Sequence, residues 1–320
     1  MKAAVYYKTG DPSVLCYQDV EDPKCGPDDI VIEVKAISVE GGDVLNRSAG
    51  EMVNNPHCVG YQAAGIISEV GERVTSREVG QRVTTVNQFG SHAEKRAVPY
   101  PVSWVLPDEL SFKKAVCVPI TFGTAHDCLF EFGQLKKDQT VLIHAGAGGV
   151  GVAAIQLASR AGARVLATAS SSERLEELKK LGLDEGINYR ETDFVAAVRK
   201  LTDDRGADLI MDPVGGDVLQ KSISALAYRG HVITFGNAGR DYRKFDLSPL
   251  IMNNQRISGY FQGAELFFER MQNLVGQLLT EIVDGKLQVV LDREYPLAEA
   301  SKAHAFIESR RAVGRVLLIP

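Results

Sequence analysis

The chain has 320 residues, long enough for two domains that each bury a core, and its charged fraction of 24% leaves a net charge of −5. That balance, with no run of basic residues, argues against a nucleic-acid partner. No stretch approaches the roughly 18 consecutive apolar residues of a membrane span, and the opening Met1-Lys2-Ala3-Ala4-Val5 lacks the apolar core of a secretory signal, so a soluble, cytoplasmic protein without a membrane partner is expected. The five cysteines are scattered and odd in number, which fits reduced thiols in a reducing compartment.

Up to about residue 120 the chain is a series of short β-rich runs, at 30–37, 64–70 and 82–86, separated by turns containing Gly, Pro and Asp. This predicts an antiparallel, barrel-like domain. From Thr140 the texture changes: apolar runs at 141–145, 165–169, 207–212, 231–235 and 257–261 alternate with helical patterns at 149–161, 173–181 and 218–227. Such alternation predicts βαβ units on a parallel sheet. A long amphipathic segment follows at 265–284, and a last strand at 314–319. There the βαβ rhythm is lost, so this end is expected to return to the first domain.

The sharpest chemical signal is the run Val141-Leu142-Ile143-His144-Ala145 followed by Gly146-Ala147-Gly148-Gly149-Val150-Gly151. An apolar strand enters G-x-G-x-x-G and continues as a helix. The first glycine is expected to allow a tight turn, the second to let the backbone approach a pyrophosphate, and the third to let the helix pack close to the strand. The anion then meets free backbone N–H groups at the helix start. In an NAD site the next strand ends, about 20 residues on, in an acid that holds the ribose hydroxyls. Here that strand ends in Thr168-Ala169-Ser170-Ser171-Ser172. With no carboxylate to repel a 2′-phosphate, and hydroxyls to receive one, NADPH is the expected cofactor. Glu173 fits a capping box with Ser170, and Arg174 offers a charge-assisted fork to the phosphate.

No metal-ligand spacing is evident, and His57 and Cys58 are neighbours whose side chains diverge on an extended chain. No metal site is therefore expected. No G-x-S-x-G elbow or other nucleophile signature occurs, so the chemistry is expected to come from the cofactor. His304, alone in a helical stretch, reads as a packing or capping residue.

Several segments together resemble the zinc-independent quinone oxidoreductases, the zeta-crystallin-like family of the medium-chain dehydrogenase/reductase superfamily. They are Gly60-Tyr61-Gln62-Ala63-Ala64-Gly65 with Glu69-Val70-Gly71, Val79-Gly80-Gln81-Arg82-Val83, the 145–151 glycine loop, Ile187-Asn188-Tyr189-Arg190 and Phe235-Gly236-Asn237. The resemblance implies an α/β protein with a GroES-like β-rich barrel domain over 1–122, a Rossmann doubly wound parallel sheet over 123–262 and a C-terminal segment, 263–320, that returns to the first. It also implies a homodimer formed through the Rossmann sheets. By position it places Arg174, Tyr189 and Arg310, with Ser170 beside them, at the 2′-phosphate. Thr124 falls near the nicotinamide, and Phe235 with Gly236 closes over it.

Two positions depart from the family pattern: Glu40 stands where an Asn lines the substrate pocket, and Gln62 replaces an acid, while Arg47 is retained. Glu40, buried and protonated, is the candidate proton donor; the alternative is a carboxylate capping a turn. The expected activity is hydride transfer to a quinone or an α,β-unsaturated carbonyl without zinc. Reduction of an enoyl thioester is the runner-up, and a non-catalytic NADPH-binding protein with a structural or RNA-binding role is the reading from a different class.

Overall fold

The computed structural model describes residues 1–320. It divides into one unit of Met1–Gly123 with Gly263–Pro320, and a second of Thr124–Gln262. No helix is long and apolar enough to cross a membrane.

The first unit opens with β1 (Lys2–Val5) and β2 (Cys16–Asp19), paired antiparallel. Its main sheet begins with β3 (Asp29–Ser38), β4 (Gln62–Val70), β5 (Arg82–Val86), β6 (Lys95–Pro99) and β7 (Ser103–Val105). β3 is the hub, with β4 antiparallel along one edge and β6 along part of the other. Its Ile30, Ile32, Val34 and Ala36 are buried, and so are Val31, Ile37 and Ser38, so that only Glu33 and Lys35 are exposed. The β3–β4 ladder carries two register shifts, and bulges of this kind bend a sheet. At Gly65 the strands approach so closely that an added Cβ would sit 2.0 Å from the Glu33 carbonyl oxygen. The same register sets Gln62 opposite Ser38 at the end of β3, just before Glu40.

The second unit is a parallel sheet of six strands: β8 (Thr140–Ile143), β9 (Arg164–Ala169), β10 (Glu185–Asn188), β11 (Ala207–Asp212), β12 (Leu226–Thr234) and β13 (Arg256–Gly259). The order is β10-β9-β8-β11-β12-β13, so the chain reverses direction across the sheet between β8 and β11, and ligands of doubly wound sheets bind outside the strand C-termini at that point. Helices Gly149–Arg160, Ser172–Lys179, Phe194–Leu201 and Gly216–Ala225 connect successive strands. All four residues of β8 are buried, as expected of a strand covered on both faces. Leu142, Leu166, Ile187, Ile210 and Val232 join Phe194, Val198 and Leu219 in one core cluster. Truncating any one of these large side chains to Ala is worth about 2–5 kcal/mol.

The chain then returns to the first unit with β14 (Leu291–Pro296) and β15 (Arg315–Ile319), and β15 pairs antiparallel with the end of β3 through Leu317 and Leu318. The amphipathic segment read over 265–284 is helical only at Glu269–Val283; Phe267 and Phe268 precede it, exposed, and the chain turns there instead of continuing as helix. The Trp104 indole N–H donates to the Gln272 carbonyl at 3.1 Å and docks this helix against β7.

Candidate functional site

In the second unit the site begins where β8 ends. His144 is buried and hydrogen-bonded on both ring nitrogens, to Thr168 Oγ1 at 3.1 Å and Ser222 Oγ at 3.0 Å, with its ring edge-on to Phe194. Burial pushes its imidazole down to about 3, so it is a neutral peg fixing the loop base. The turn itself corrects one expectation. The left-handed residue is Ala145, at φ 53°, not Gly146. Gly146 is needed for a different reason: its N–H bonds the Thr168 carbonyl at 2.8 Å, and an added Cβ would lie 2.7 Å from the Ala167 Cβ. At Gly151 a Cβ would meet the Ala145 and Gly146 carbonyl oxygens at 2.5 and 2.6 Å, so here the helix lies close to the turn that follows β8.

Gly148 differs from both. It is exposed, caps the helix Gly149–Arg160 with φ −76°, and an added Cβ would find only the Ala145 oxygen, at 3.3 Å. Packing within the protein therefore barely constrains this position to glycine. The first helical bond runs from the Val152 N–H to the Gly148 carbonyl at 2.8 Å, leaving Gly149, Val150 and Gly151 in the first turn, where N–H groups have no helical acceptor. Ala147 precedes them in the loop and is buried.

β9 delivers Ser170, and the following helix starts one residue later than the capping-box reading requires. Ser171, not Ser170, is the N-cap, accepting from the Arg174 N–H. Glu173 turns back to accept from the Ser171 hydroxyl, which holds its carboxyl below the usual range. This frees Ser170, whose hydroxyl instead accepts from Arg174 Nη2. Tyr189, exposed beyond β10, is tied to the same strand end by its N–H to the Ala169 carbonyl at 3.1 Å. Three residues read separately from the sequence thus gather at the C-terminal ends of β9 and β10, with no carboxylate replacing them.

On the other half of the sheet, Phe235 follows β12 with its N–H on the Asp212 carbonyl, and Gly236 is exposed. Asp212 ends β11; its Oδ1 accepts from the Val214 and Gly215 N–H groups at 2.6 and 3.0 Å, and burial raises its carboxyl. Thr124 is buried and donates to Gln262 Oε1 at 3.1 Å. One turn on, Asp127 accepts from the Tyr260 hydroxyl at 2.9 Å. Reading the sequence missed both pairs, since nothing local links residues 124–127 to 260–262.

In the first unit Glu40 is buried as expected, but its setting is that of an ionised acceptor. Its Oε1 receives Ser38 Oγ at 3.0 Å, Gln62 Nε2 at 2.5 Å and the Arg315 guanidinium. Because the Arg315 guanidinium pairs with this oxygen, the reading of Glu40 as a proton donor gives way to that of a carboxylate held in an ion pair. Asp43 accepts from the Glu40 N–H at 2.8 Å and the Tyr61 N–H at 3.1 Å. Burial first, then the Glu40 charge, raise its carboxyl to about 8. Arg47, wholly buried, bonds the Gly10 carbonyl and Glu308. Arg310 is exposed just past the helix Ala300–Glu308, with a left-handed backbone at φ 56°. His304 is buried against His92, Nε2 to Nε2 at 3.0 Å.

Two family models match. Residues 26–105 match the Alcohol dehydrogenase GroES-like domain, and residues 149–281 match Zinc-binding dehydrogenase. The Quinone oxidoreductase of Sus scrofa is 31% identical over 327 residues, covering 100% of this chain and 98% of that protein. The Synaptic vesicle membrane protein VAT-1 homolog of Danio rerio is 30% identical over 313 residues, 91% of this chain; the chain spans 64% of that relative's length. Among solved structures, Escherichia coli quinone oxidoreductase complexed with NADPH superposes with a TM-score of 0.96 at 28% identity, each chain covered in full. The residues present do not fit the zinc that one model's description implies. No group of three or more His, Cys, Asp or Glu side chains is arranged to hold an ion. The His57 ring is edge-on to Tyr6 and Phe89, and the Cys58 thiol points to the Val59 carbonyl. Matched over nearly its whole length by quinone oxidoreductases and carrying both domains of that fold, the chain belongs to the zeta-crystallin-like quinone oxidoreductase family of the medium-chain dehydrogenase/reductase superfamily.

Proposed function

We propose that the protein is a zinc-independent, NADPH-dependent oxidoreductase that reduces a quinone or an α,β-unsaturated carbonyl. The observation that carries this reading is the Ser170–Arg174 pair at the end of β9, where an NAD site would place an acid. A hydroxyl and a guanidinium held together, with Tyr189 beside them, suit a dianionic 2′-phosphate. Arg310 is kept as a further candidate for that phosphate.

The N–H groups along 146–151 face the pyrophosphate in this reading. Thr124 and the Phe235-Gly236 turn border the nicotinamide. NADPH supplies the hydride, and the chain supplies placement: a fixed glycine loop, a hydroxyl oriented by Gln262 and a turn anchored by Asp212. Holding donor and acceptor in line accounts for much of the rate in such reactions. With Glu40 committed to Arg315, the proton that completes reduction is assigned to solvent.

The unpaired edge of β13, together with exposed Tyr242, Ile251, Met252 and Phe261, supports a homodimer formed by the second unit, because an open strand edge beside apolar surface invites a second copy. Light scattering of the intact protein against an Ile251→Glu/Met252→Glu variant tests it. The activity is tested by following NADPH oxidation with simple quinones, enones and enoyl-thioesters. Turnover confined to the thioesters would replace the acceptor, and binding of NADPH without turnover would leave a carrier rather than an enzyme.

A further inference from the structure

A helix leaves its first N–H groups without partners, and a buried start needs acceptors from elsewhere. Helix Val118–His126 receives one from a residue distant in sequence: the Ile120 N–H donates to Gln62 Oε1 at 2.9 Å. The other end of that amide is equally constrained. Gln62 Nε2 donates to Glu40 Oε1, and Glu40 is held by Arg315 and Ser38, with Arg315 also bonded to the Val39 carbonyl at 2.8 Å. Gln62 is fully buried. Because Ile120 offers only a donor and the Glu40 carboxylate only an acceptor, a single orientation of the amide satisfies both. We infer that Gln62 is a positioning residue for the proposed reaction: its uncharged amide ties the first turn of the helix that carries Thr124 to the buried Glu40–Arg315 ion pair.

The inference rests on the reading that Thr124 borders the nicotinamide. Ile120 and Thr124 are four residues apart, so they stack on one helix face, and a shift of the first turn is carried to the hydroxyl. Glutamine is the side chain that does this here. A carboxylate at 62 would also accept from Ile120 and favour the positive helix end, but it would lie against Glu40, and two touching carboxylates do not both ionise. An apolar side chain would take this acceptor away from the partly buried Ile120 N–H. The titratable and charged groups around the pair are Arg315 on β15, Asp43 on helix Gly41–Ala49, Tyr61 before β4, Arg96 on β6 and Cys117 ahead of the helix.

The test compares wild type with Gln62→Glu, Gln62→Met and the exchange Glu40→Gln/Gln62→Glu, using 1,4-benzoquinone as acceptor. For each, kcat, KM, the NADPH dissociation constant by fluorescence and the melting temperature are followed from about pH 5 to pH 9. In Gln62→Glu one shared proton reproduces the amide at low pH and is lost as pH rises. Its kcat, relative to wild type, is expected to fall about tenfold across the range while KM holds, and its melting temperature to fall with it. The exchange variant has one carboxyl in the pair, like wild type, and is expected to lose this alkaline decline. Gln62→Met is expected to lower kcat at every pH. A Gln62→Glu profile parallel to wild type, or a decline that persists in the exchange variant, overturns the inference. Should Gln62→Glu fail to fold, the other two decide: an exchange variant below Gln62→Met in kcat also overturns it. A wild type that does not bind NADPH sinks the functional reading instead, and the melting-temperature comparison still judges the link between Gln62 and Glu40.

Discussion

Arg174 donates through Nη2 to the hydroxyl of Ser170, four residues before it, so the cation at the start of one helix is steered back over the end of β9. The pair exists because the helix is capped by Ser171, which leaves Ser170 free to accept. A charge-assisted contact of this kind is worth about 1.5–3 kcal/mol. Arg174→Ala is therefore expected to weaken NADPH by about ten- to a hundredfold and NADH hardly at all. Equal losses for the two coenzymes in a calorimetric titration would remove the assigned phosphate contact.

The glycine loop separates two kinds of constraint. Gly151→Ala forces a Cβ to 2.5 Å from a carbonyl oxygen, so it is expected to lower the melting temperature whether or not coenzyme is present. Gly148→Val meets little protein and is expected to keep the fold while losing NADPH and NADH together, because the side chain fills the space assigned to the pyrophosphate. Unchanged affinity in a folded Gly148→Val protein would overturn the loop assignment.

What could be read from the sequence was what is encoded locally. The strand–glycine–helix run at 141–151 is contiguous, and so are the missing acid at 168–172 and the βαβ alternation around them. Errors of one residue arose where neighbours compete for the same role: Ala145 rather than Gly146 takes the positive φ, and Ser171 rather than Ser170 caps. Glu40 and Gln62 were each visible as departures, yet neither was intelligible alone. Only the β3–β4 register brings them together, and the cation that neutralises Glu40 is Arg315, 275 residues away. Long-range pairing of that sort leaves no periodic trace.

The lack of converging ligands leads to a direct test. Purified protein is expected to contain no stoichiometric zinc by atomic emission, and prolonged treatment with a chelator is expected to leave NADPH oxidation unchanged. One zinc per chain, lost together with activity, would return the protein to the metal-dependent branch of its superfamily.

The buried histidines and Asp43 set the dependence of stability on pH, with opposite signs. Burial holds His92 and His144 at about 3, against an ordinary 6.5, and His304 well below it. Between those limits the unfolded chain binds protons that the native state excludes, so each imidazole contributes a loss of about 1.4 kcal/mol per pH unit as the pH falls. Asp43, raised from 3.8 to about 8, does the reverse: the native state keeps a proton the unfolded chain has released, and stability falls as pH rises through that window. Below 6.5 the imidazoles outnumber the two raised carboxyls, Asp43 and Asp212, and the acid slope dominates; above it the raised carboxyls and, toward pH 9, the buried thiols of Cys58 and Cys117 make stability fall as the pH rises. Urea midpoints measured from about pH 4 to pH 9 are expected to peak near neutrality, falling steeply on the acid side and gently on the alkaline side. His144→Gln is expected to reduce the acid slope by one proton and leave the alkaline slope alone. An acid slope indifferent to that substitution would mean that His144 titrates in the native protein, and the neutral peg beneath the glycine loop would have to be abandoned.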